Sequence, residues 1–434
     1  MTPPDDTTLE RDIAPPHDSK VTADSEATAD PKVTADPKVT AAARERAAPI
    51  VAALMEDERR AAARMAPLFA SYMGHLRDAG LPVTRGSLHI RQLHPQLAAR
   101  SLVWKQETGE TTELGHAYSI QSQENYLASP IRVIRDGGGP IRRRLEPAGR
   151  AAEFPILEEL ESRGYTDYTM RPLVFSGGNR NAISLATDRP GGFSDPDLAV
   201  LDATLPAFAA VAELQQLRRT ARDLLNTYVG PNTGERIFSG AVKRGDGEVI
   251  HAVLWYCDLR GFTALAEKLP LPEVLALLDA YFDAIAEPVV ERGGEILKFM
   301  GDAMLVIFPC EPRENAVCDA CDGALAAAEE AVKRVSALND SHRLENGMII
   351  ECGVAVHVGE VMYGNIGAAD RLDFTVIGHA VNLVARLAAL CAELDRPIVL
   401  SDAVGRASRR ELLSLGRHQL RGIDAPQEAY TILR

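Results

Sequence analysis

The feature that most restricts the fold is a pair of short apolar runs, EILKFM and AMLVIFP, separated by only Gly301 and Asp302. So short a Gly-Asp connection leaves room for nothing but a tight turn, and the runs predict a β-hairpin. Upstream, VIHAVLWYCD reads as a strand ending in Asp258, followed by LRGFTALAEKL. PEVLALLDAYFDAIAEPVVERGG then reads as an amphipathic helix stopped by Gly293 and Gly294. A carboxylate at a strand end and another at a hairpin tip project towards the same edge of a sheet. Two hard carboxylates with few other ligands suit Mg²⁺ or Mn²⁺ held together with substrate phosphates. Sites with two metals keep their ions about 4 Å apart. Taken alone, an aspartate in a turn is usually just a turn residue. The surrounding pattern has to decide.

At 434 residues the chain is too long for one ordinary core, so two or three structural units are expected. Its formal net charge of −14 argues against non-specific nucleic-acid binding and against docking on an anionic membrane. No apolar run reaches the length of about 18 residues that a bilayer span needs, so no transmembrane segment is expected. The opening MTPPDDTTLERD is acidic and has no apolar stretch, unlike a secretory signal, and the expected location is cytoplasmic. All cysteines (Cys257, Cys310, Cys318, Cys321, Cys352 and Cys391) lie in the C-terminal part and fit reduced thiols better than a disulfide frame. Cys318 and Cys321 form a CxxC in an Ala-rich stretch of helical pattern. No second CxxC or CxxH follows, whereas a structural zinc site takes about four ligands. These thiols are expected to pack, not to ligate.

Residues 1–42 read as a disordered tail. VTADSEATADPKVTADPKVTA repeats a short unit almost without large apolar residues, and such a segment cannot offset the entropy of ordering. Residues 43–214 form an expected regulatory unit. Between Ala43 and Gly80, apolar Ile50, Leu54, Met65, Leu68, Met73 and Leu76 recur at helical spacing. SLHIRQL, SLVWKQE and NAISLAT alternate apolar and polar residues as half-buried strands do. FPILEELESRG puts Phe154, Leu157 and Leu160 on one helix face. From Phe193 to Val229 a long amphipathic helix is expected, with Ser194 as N-cap, Asp197 three residues on, and Pro206 kinking or dividing it. Residues 215–247 are the linker and transducer, where the glycines of GPNTGERIFSGAVKRGDGE are expected to break the helix. Helical entry, mixed sheet and exit helix, together with TDRPGGFSDPDLAVLD, resemble a GAF-type sensory domain. That resemblance implies an α/β fold and a small-molecule regulator of unnamed chemistry.

Residues 248–434 carry CDLRGFT, KFMGDAMLVIF and TVIGHAVNLVARL, in that order. Together these resemble the catalytic domain of the class III adenylate and guanylate cyclases, over close to the whole of that domain. The resemblance implies a ferredoxin-like α+β fold and cyclisation of a nucleoside triphosphate on two Mg²⁺ or Mn²⁺ ions. Asp258 and Asp302 match the metal-binding aspartates. Lys298 matches the lysine that reads the purine. Thr375 stands where many members have aspartate, as in a subset of the adenylate cyclases. Asn382 and Arg386 match the pair that stabilises the transition state. Phe262 is a candidate wall of the metal site. Arg421, in RHQLRGIDAPQEAYTIL, is the nearest cation to the lysine with which many members contact the triphosphate.

Elementary chemistry supports several of these matches. Asn382 and Arg386, spaced i and i+4, share one helix face and can converge on one ligand. An arginine fork suits charge building on a pentavalent phosphorus. Lys298 only donates and the Thr375 hydroxyl can accept, which complements N1 and the N6 amine of adenine. Guanine reverses that edge, and Glu would be expected where Lys298 stands. ATP is therefore the expected substrate. In the family, one domain brings the aspartates and another brings Lys298, Thr375, Asn382 and Arg386. This chain has both sets, so a homodimer with equivalent sites is expected. A guanylate cyclase and a catalytically silent nucleotide-binding module are the alternatives. A diguanylate-forming enzyme would want a GGDEF-like turn, which KFMGDAM lacks.

Overall fold

Alternation in the N-terminal strands and helical spacing around them build one layered unit. In the computed structural model, residues 37–60, 64–145, 153–311, 315–340 and 349–433 are described. The first unit runs α1 (Pro37–Arg60), α2 (Met65–Asp78), β1 (Arg85–Arg91), β2 (Leu97–Lys105) and β3 (Thr111–Ala117). A 3-10 turn at Tyr118–Ser122, α3 (Glu124–Leu127), α4 (Pro130–Arg135), β4 (Ile141–Arg144) and α5 (Pro155–Ser162) follow. β5 (Asp167–Val174), β6 (Arg180–Thr187) and α6 (Asp195–Val229) complete it. The strands form one sheet in the order β3-β2-β1-β6-β5-β4, with every pairing antiparallel, so the sheet is not mixed as expected. On one face α1, α2 and α6 bury Leu54, Phe69, Met73 and Phe208 against Leu88 and Ile90. Tyr72 stacks on Phe208 with ring centroids 4.2 Å apart. On the other face α4 and α5 bury Ile134, Leu157 and Leu160 over Tyr168 and Met170.

Three expectations at the edges of this unit need correction. Residues 1–36 of the expected tail lie outside the described residues, but its last part, from Pro37, already belongs to α1. Pro206 does not divide α6, which is continuous from Asp195 to Val229. An interior proline costs about 3 kcal/mol, and here it sits on the exposed side while Leu205, Phe208 and Ala209 around it are buried. The expected cap is present: the Ser194 hydroxyl accepts from the Asp197 N–H, and the Asp197 carboxylate accepts from the Ser194 N–H. Beyond α6 the chain breaks at Gly230, at φ 86°, but returns at once to a helix, α7 (Pro231–Phe238), inside the stretch expected to be broken. Gly234 lies inside it without a break, at a close approach where a Cβ would collide with Asn226.

The second unit begins with β7 (Gly247–Leu259), α8 (Phe262–Ala266), α9 (Leu271–Glu291), and the hairpin β8 (Glu295–Met300) and β9 (Ala303–Pro309). It continues with α10 (Ala316–Asp340), β10 (Cys352–Gly367), β11 (Leu372–Ile377) and α11 (His379–Glu393). β12 (Ile398–Ser401), α12 (Asp402–Ala407), β13 (Leu412–His418) and β14 (Gln427–Ile432) close it. The sheet order is β13-β14-β12-β10-β7-β9-β8, with β11 paired to β10. Alternation along β7 sorts the two faces. Val253, Trp255 and Cys257 pack under α9 and α10, while Ala252 and Leu254 pack under α11. Among the described residues no helix is long and apolar enough to cross a membrane.

Candidate active site

Asp258 is the second-last residue of β7, a strand held between β10 and β9. On one side it lies opposite Gly353 of β10, and on the other Cys257 pairs with Met304 of β9. That register brings Asp258 to the tip of the β8-β9 hairpin, where Gly301, at φ 67°, turns the chain into Asp302. The two predicted aspartates thus meet at one sheet edge, as the strand-end and hairpin-tip reading expected. Burial first, and then the charge of Asp302, push the Asp258 carboxyl up to about 6. Both causes would be relieved by a cation between the two carboxylates. Among the described residues no set of three or more His, Cys, Asp or Glu side chains could hold a metal. Two carboxylates alone would leave any bound cation to take its other ligands from backbone oxygen, water or phosphate, donors that suit Mg²⁺.

Arg260 follows two residues on and serves a structural end. Its Nη2 donates to the Cys391 carbonyl at 2.7 Å, and its Nη1 lies 3.2 Å from Glu351 Oε2 and 3.2 Å from Asp395 Oδ1. It ties the loop after Asp258 to the C-terminal end of α11. Phe262 opens α8 and is partly buried against the core beneath α9 and α10.

Lys298 meets β11, the strand that carries Thr375, across a wide separation in sequence. β8 carries a register shift between Ile296 and Lys298, and Lys298 Nζ lies 3.5 Å from Asp373 Oδ2 on β11. Asp373 and Thr375 occupy alternate positions of β11 and therefore share a face. Thr375 is only 5% exposed, and its hydroxyl has no hydrogen-bond partner among the described residues. A buried orphan hydroxyl is costly unless something completes it. Asp373 is the residue that sequence reasoning missed. An acidic side chain two positions before Thr375 on a strand was the signal available.

Asn382 and Arg386 stand on the exposed face of α11, one turn apart. Gly378, at φ 150°, turns the chain from β11 into this helix. Arg386 Nη1 donates to the carbonyl of Arg421, so the loop at Arg421 holds the Arg386 guanidinium through its backbone. The Arg421 side chain is itself exposed.

Within one chain these groups form separate clusters. The C-terminal part of α11 lies beside Asp258: a Cβ on Gly353 would come within 2.9 Å of Cys391 Cβ and 3.1 Å of Asp258 Oδ1. Arg386 and Asn382 precede Cys391 on the same helix, and at about 1.5 Å per residue they lie roughly 8 and 14 Å back along its axis.

With that geometry in hand, residues 249–433 match the family model described as the adenylate and guanylate cyclase catalytic domain. An uncharacterized protein of Mycobacterium tuberculosis is 38% identical over 224 residues, covering 50% of this chain and 39% of that one. A second from the same organism is 33% identical over 241 residues, covering 53% of this chain and 40% of its own length. The matches thus span about two fifths of these relatives. Among solved structures, a bacterial light-regulated adenylyl cyclase is 25% identical, with a TM-score of 0.44, covering 51% of this chain and 64% of that one. The guanylyl cyclase Cya2 is 28% identical, with a TM-score of 0.34, covering 42% of this chain and 92% of that one. The C-terminal unit is a nucleotide cyclase catalytic domain.

Proposed function

We propose that this domain converts ATP to 3′,5′-cyclic AMP and pyrophosphate, at a site completed by a second copy of the chain. The observation that carries the reading is Lys298, a donor held against β11 by Asp373, together with the buried and unpartnered hydroxyl of Thr375, two residues on along the same face of that strand. Adenine offers the reverse pattern, an acceptor at N1 and a donor amine at N6. Asp258 and Asp302 would hold divalent ions, which supply positive charge to the attacking oxygen and the phosphates. The 3′-oxygen of the ribose attacks the α-phosphorus in line, and pyrophosphate leaves. Asn382 orients the ribose, and the Arg386 fork, fixed by the Arg421 carbonyl, stabilises the charge that develops on phosphorus.

The separation of the aspartates from Asn382 and Arg386 supports a homodimer in which each site draws on both chains. The N-terminal unit, read as GAF-like, would regulate it through α6 and α7. Thr233 of α7 is fully buried, its hydroxyl 2.9 Å from Glu295 Oε1 and 3.1 Å from the Tyr363 hydroxyl. Glu295 starts β8, the strand that carries Lys298 and leads to Asp302, so a shift of α7 bears on the site through a short length of strand.

Asp373 gives a second reading a specific footing. Its carboxylate beside Lys298 is an acceptor of the kind a guanine edge requires. The test is cyclic product formed by the purified chain from ATP and from GTP, each with Mg²⁺ and with Mn²⁺. Cyclic AMP from ATP, lost in Asp302→Ala, is the expected result. Preference for GTP would favour the second reading, and no product under any condition would favour a catalytically silent module.

A further inference from the structure

The long helix α6 is apolar on two sides. On one side Leu201, Leu205, Phe208 and Ala212 are buried in the core of the N-terminal unit. A second stripe, Ala210, Leu214, Leu217, Ala221, Leu224 and Tyr228, runs down the later half of the helix. Its members alternate at intervals of four and three residues, and at about 100° per residue they lie roughly opposite the buried set. Leu217 is 59% exposed and Tyr228 77%, Ala210 and Ala221 are exposed, and Leu214 and Leu224 are half-buried. Single apolar side chains at a surface are ordinary. A regular row of them over about five turns makes a face.

Neighbours in the same chain hold other sides of α6. Arg219 Nη1 lies 3.0 Å from Glu113 Oε1 on β3, which ties that side to the N-terminal sheet. Arg222 Nε lies 3.0 Å from Glu235 Oε2 on α7, and its guanidinium sits 4.6 Å from the Phe238 ring centroid. By helical spacing both arginines stand about 120° or more round from the middle of the second stripe.

We propose that α6 pairs with α6 of a second copy as a parallel two-stranded coiled coil over residues 210–228. The four-and-three spacing is the repeat of such a seam, with Leu214, Ala221 and Tyr228 at a and Ala210, Leu217 and Leu224 at d. Charge fits as well. Glu213 falls at g and Arg218 at the next e, the two places that face each other across a parallel pair. The Glu213 carboxylate, which also accepts from the Ser176 N–H at 2.9 Å, keeps its place at the helix surface. An antiparallel pair sets e against e and g against g, and loses this match. A net charge of −14 disfavours an anionic membrane as the occupant.

The seam also continues towards the catalytic unit. α6 passes through Gly230 into α7, whose Thr233 meets Glu295 at the start of β8. A parallel pair therefore brings both catalytic units to the same end, where a site drawn from two chains requires them. The helix is already folded against its own domain, so a short seam does not have to order it. The inference deepens the shared-site reading, on which it rests, by naming where the copies join.

The test reads contact between copies and not cyclic AMP, so it can fail while the cyclase reading stands. Full chains carrying Leu217→Cys, Leu224→Cys, Arg218→Cys or Thr227→Cys are oxidised mildly. Linked peptides are then mapped by mass spectrometry, which separates these links from any at the native cysteines. Leu217→Cys and Leu224→Cys should link to their own copies roughly tenfold faster than the two flanking variants, because only d positions meet within disulfide reach. Leu217→Glu combined with Leu224→Glu should raise the dimer dissociation constant in sedimentation by roughly tenfold or more. Circular dichroism should stay unchanged, since both side chains reach solvent in the single chain. Equal linking at all four positions, a dissociation constant unmoved by the double substitution, or a native chain that stays monomeric would overturn the proposal and leave the stripe to another partner.

Discussion

Asp258 is where folding and function pull against each other. Its carboxyl titrates near 6 in the folded, metal-free chain, above the ordinary aspartate range, because it is partly buried and faces Asp302. The folded state therefore binds a proton between about pH 4 and 6 that the unfolded state has already released, and stability falls as pH rises through that window. With EDTA present, the melting temperature should drop between about pH 4 and 6 more steeply in the native chain than in Asp258→Asn. Added Mg²⁺ should reverse the drop only where both aspartates remain. Equal slopes in the two proteins would remove the electrostatic basis of the metal assignment. Thr375 offers a second test. Thr375→Val removes an unpaired buried hydroxyl, so the fold should be unharmed or slightly more stable. If the hydroxyl accepts from adenine, kcat/KM for ATP should nevertheless fall roughly fivefold, equivalent to about 1 kcal/mol. An unchanged kcat/KM would place base reading elsewhere.

At the scale of elements, close approach and cross-strand networks carry the site. Gly353 lets α11 and β7 come together, since any side chain there meets Cys391 and Asp258. Gly353→Val should cost about 1–3 kcal/mol by overpacking and should disturb activity beyond that loss. Glu295 accepts from Thr233 and Tyr363 in a buried network between α7 and β8. Glu295→Ala removes the acceptor both hydroxyls share, leaving them only each other, and should destabilise the chain by about 1–3 kcal/mol. Because it also loosens α7 from β8, basal cyclase activity should shift by more than Asp279→Ala, on the exposed face of α9, produces. Equal effects would leave α7 a passive spacer. Much at this scale was legible in sequence, because local rules fixed it. A two-residue link forces the β8-β9 hairpin, a four-residue spacing aligns Asn382 with Arg386, and Ser194 with Asp197 marks the start of α6. What escaped is non-local. The Lys298–Asp373 pair joins strands 75 residues apart in sequence, and no local pattern announces it. The continuity of α6 through Pro206 was likewise set by burial of Leu205 and Phe208, which outweighs a local penalty.

At the scale of the molecule, the question is how one chain can hold every expected group and still not assemble them. The aspartates occupy the β7 and hairpin edge, while Asn382 and Arg386 face solvent further back on α11. A second copy would bring the missing half to each edge, and an N-terminal unit joined through α6 and α7 could bias that approach. The order of motifs made the catalytic domain readable from sequence, since each motif sits where a strand end, hairpin or helix start must place it. The N-terminal unit was readable as helices around a sheet with a GAF-like outline but with no site residue, because its strands carry burial patterns and no chemistry. The direct test mixes Asp258→Ala and Asn382→Ala chains, each inactive alone, and measures cyclic AMP formed from ATP. Random pairing leaves one intact site in each mixed dimer, so the account predicts roughly a quarter of native activity. No activity in the mixture, with both variants folded and dimeric, would contradict a site shared between chains.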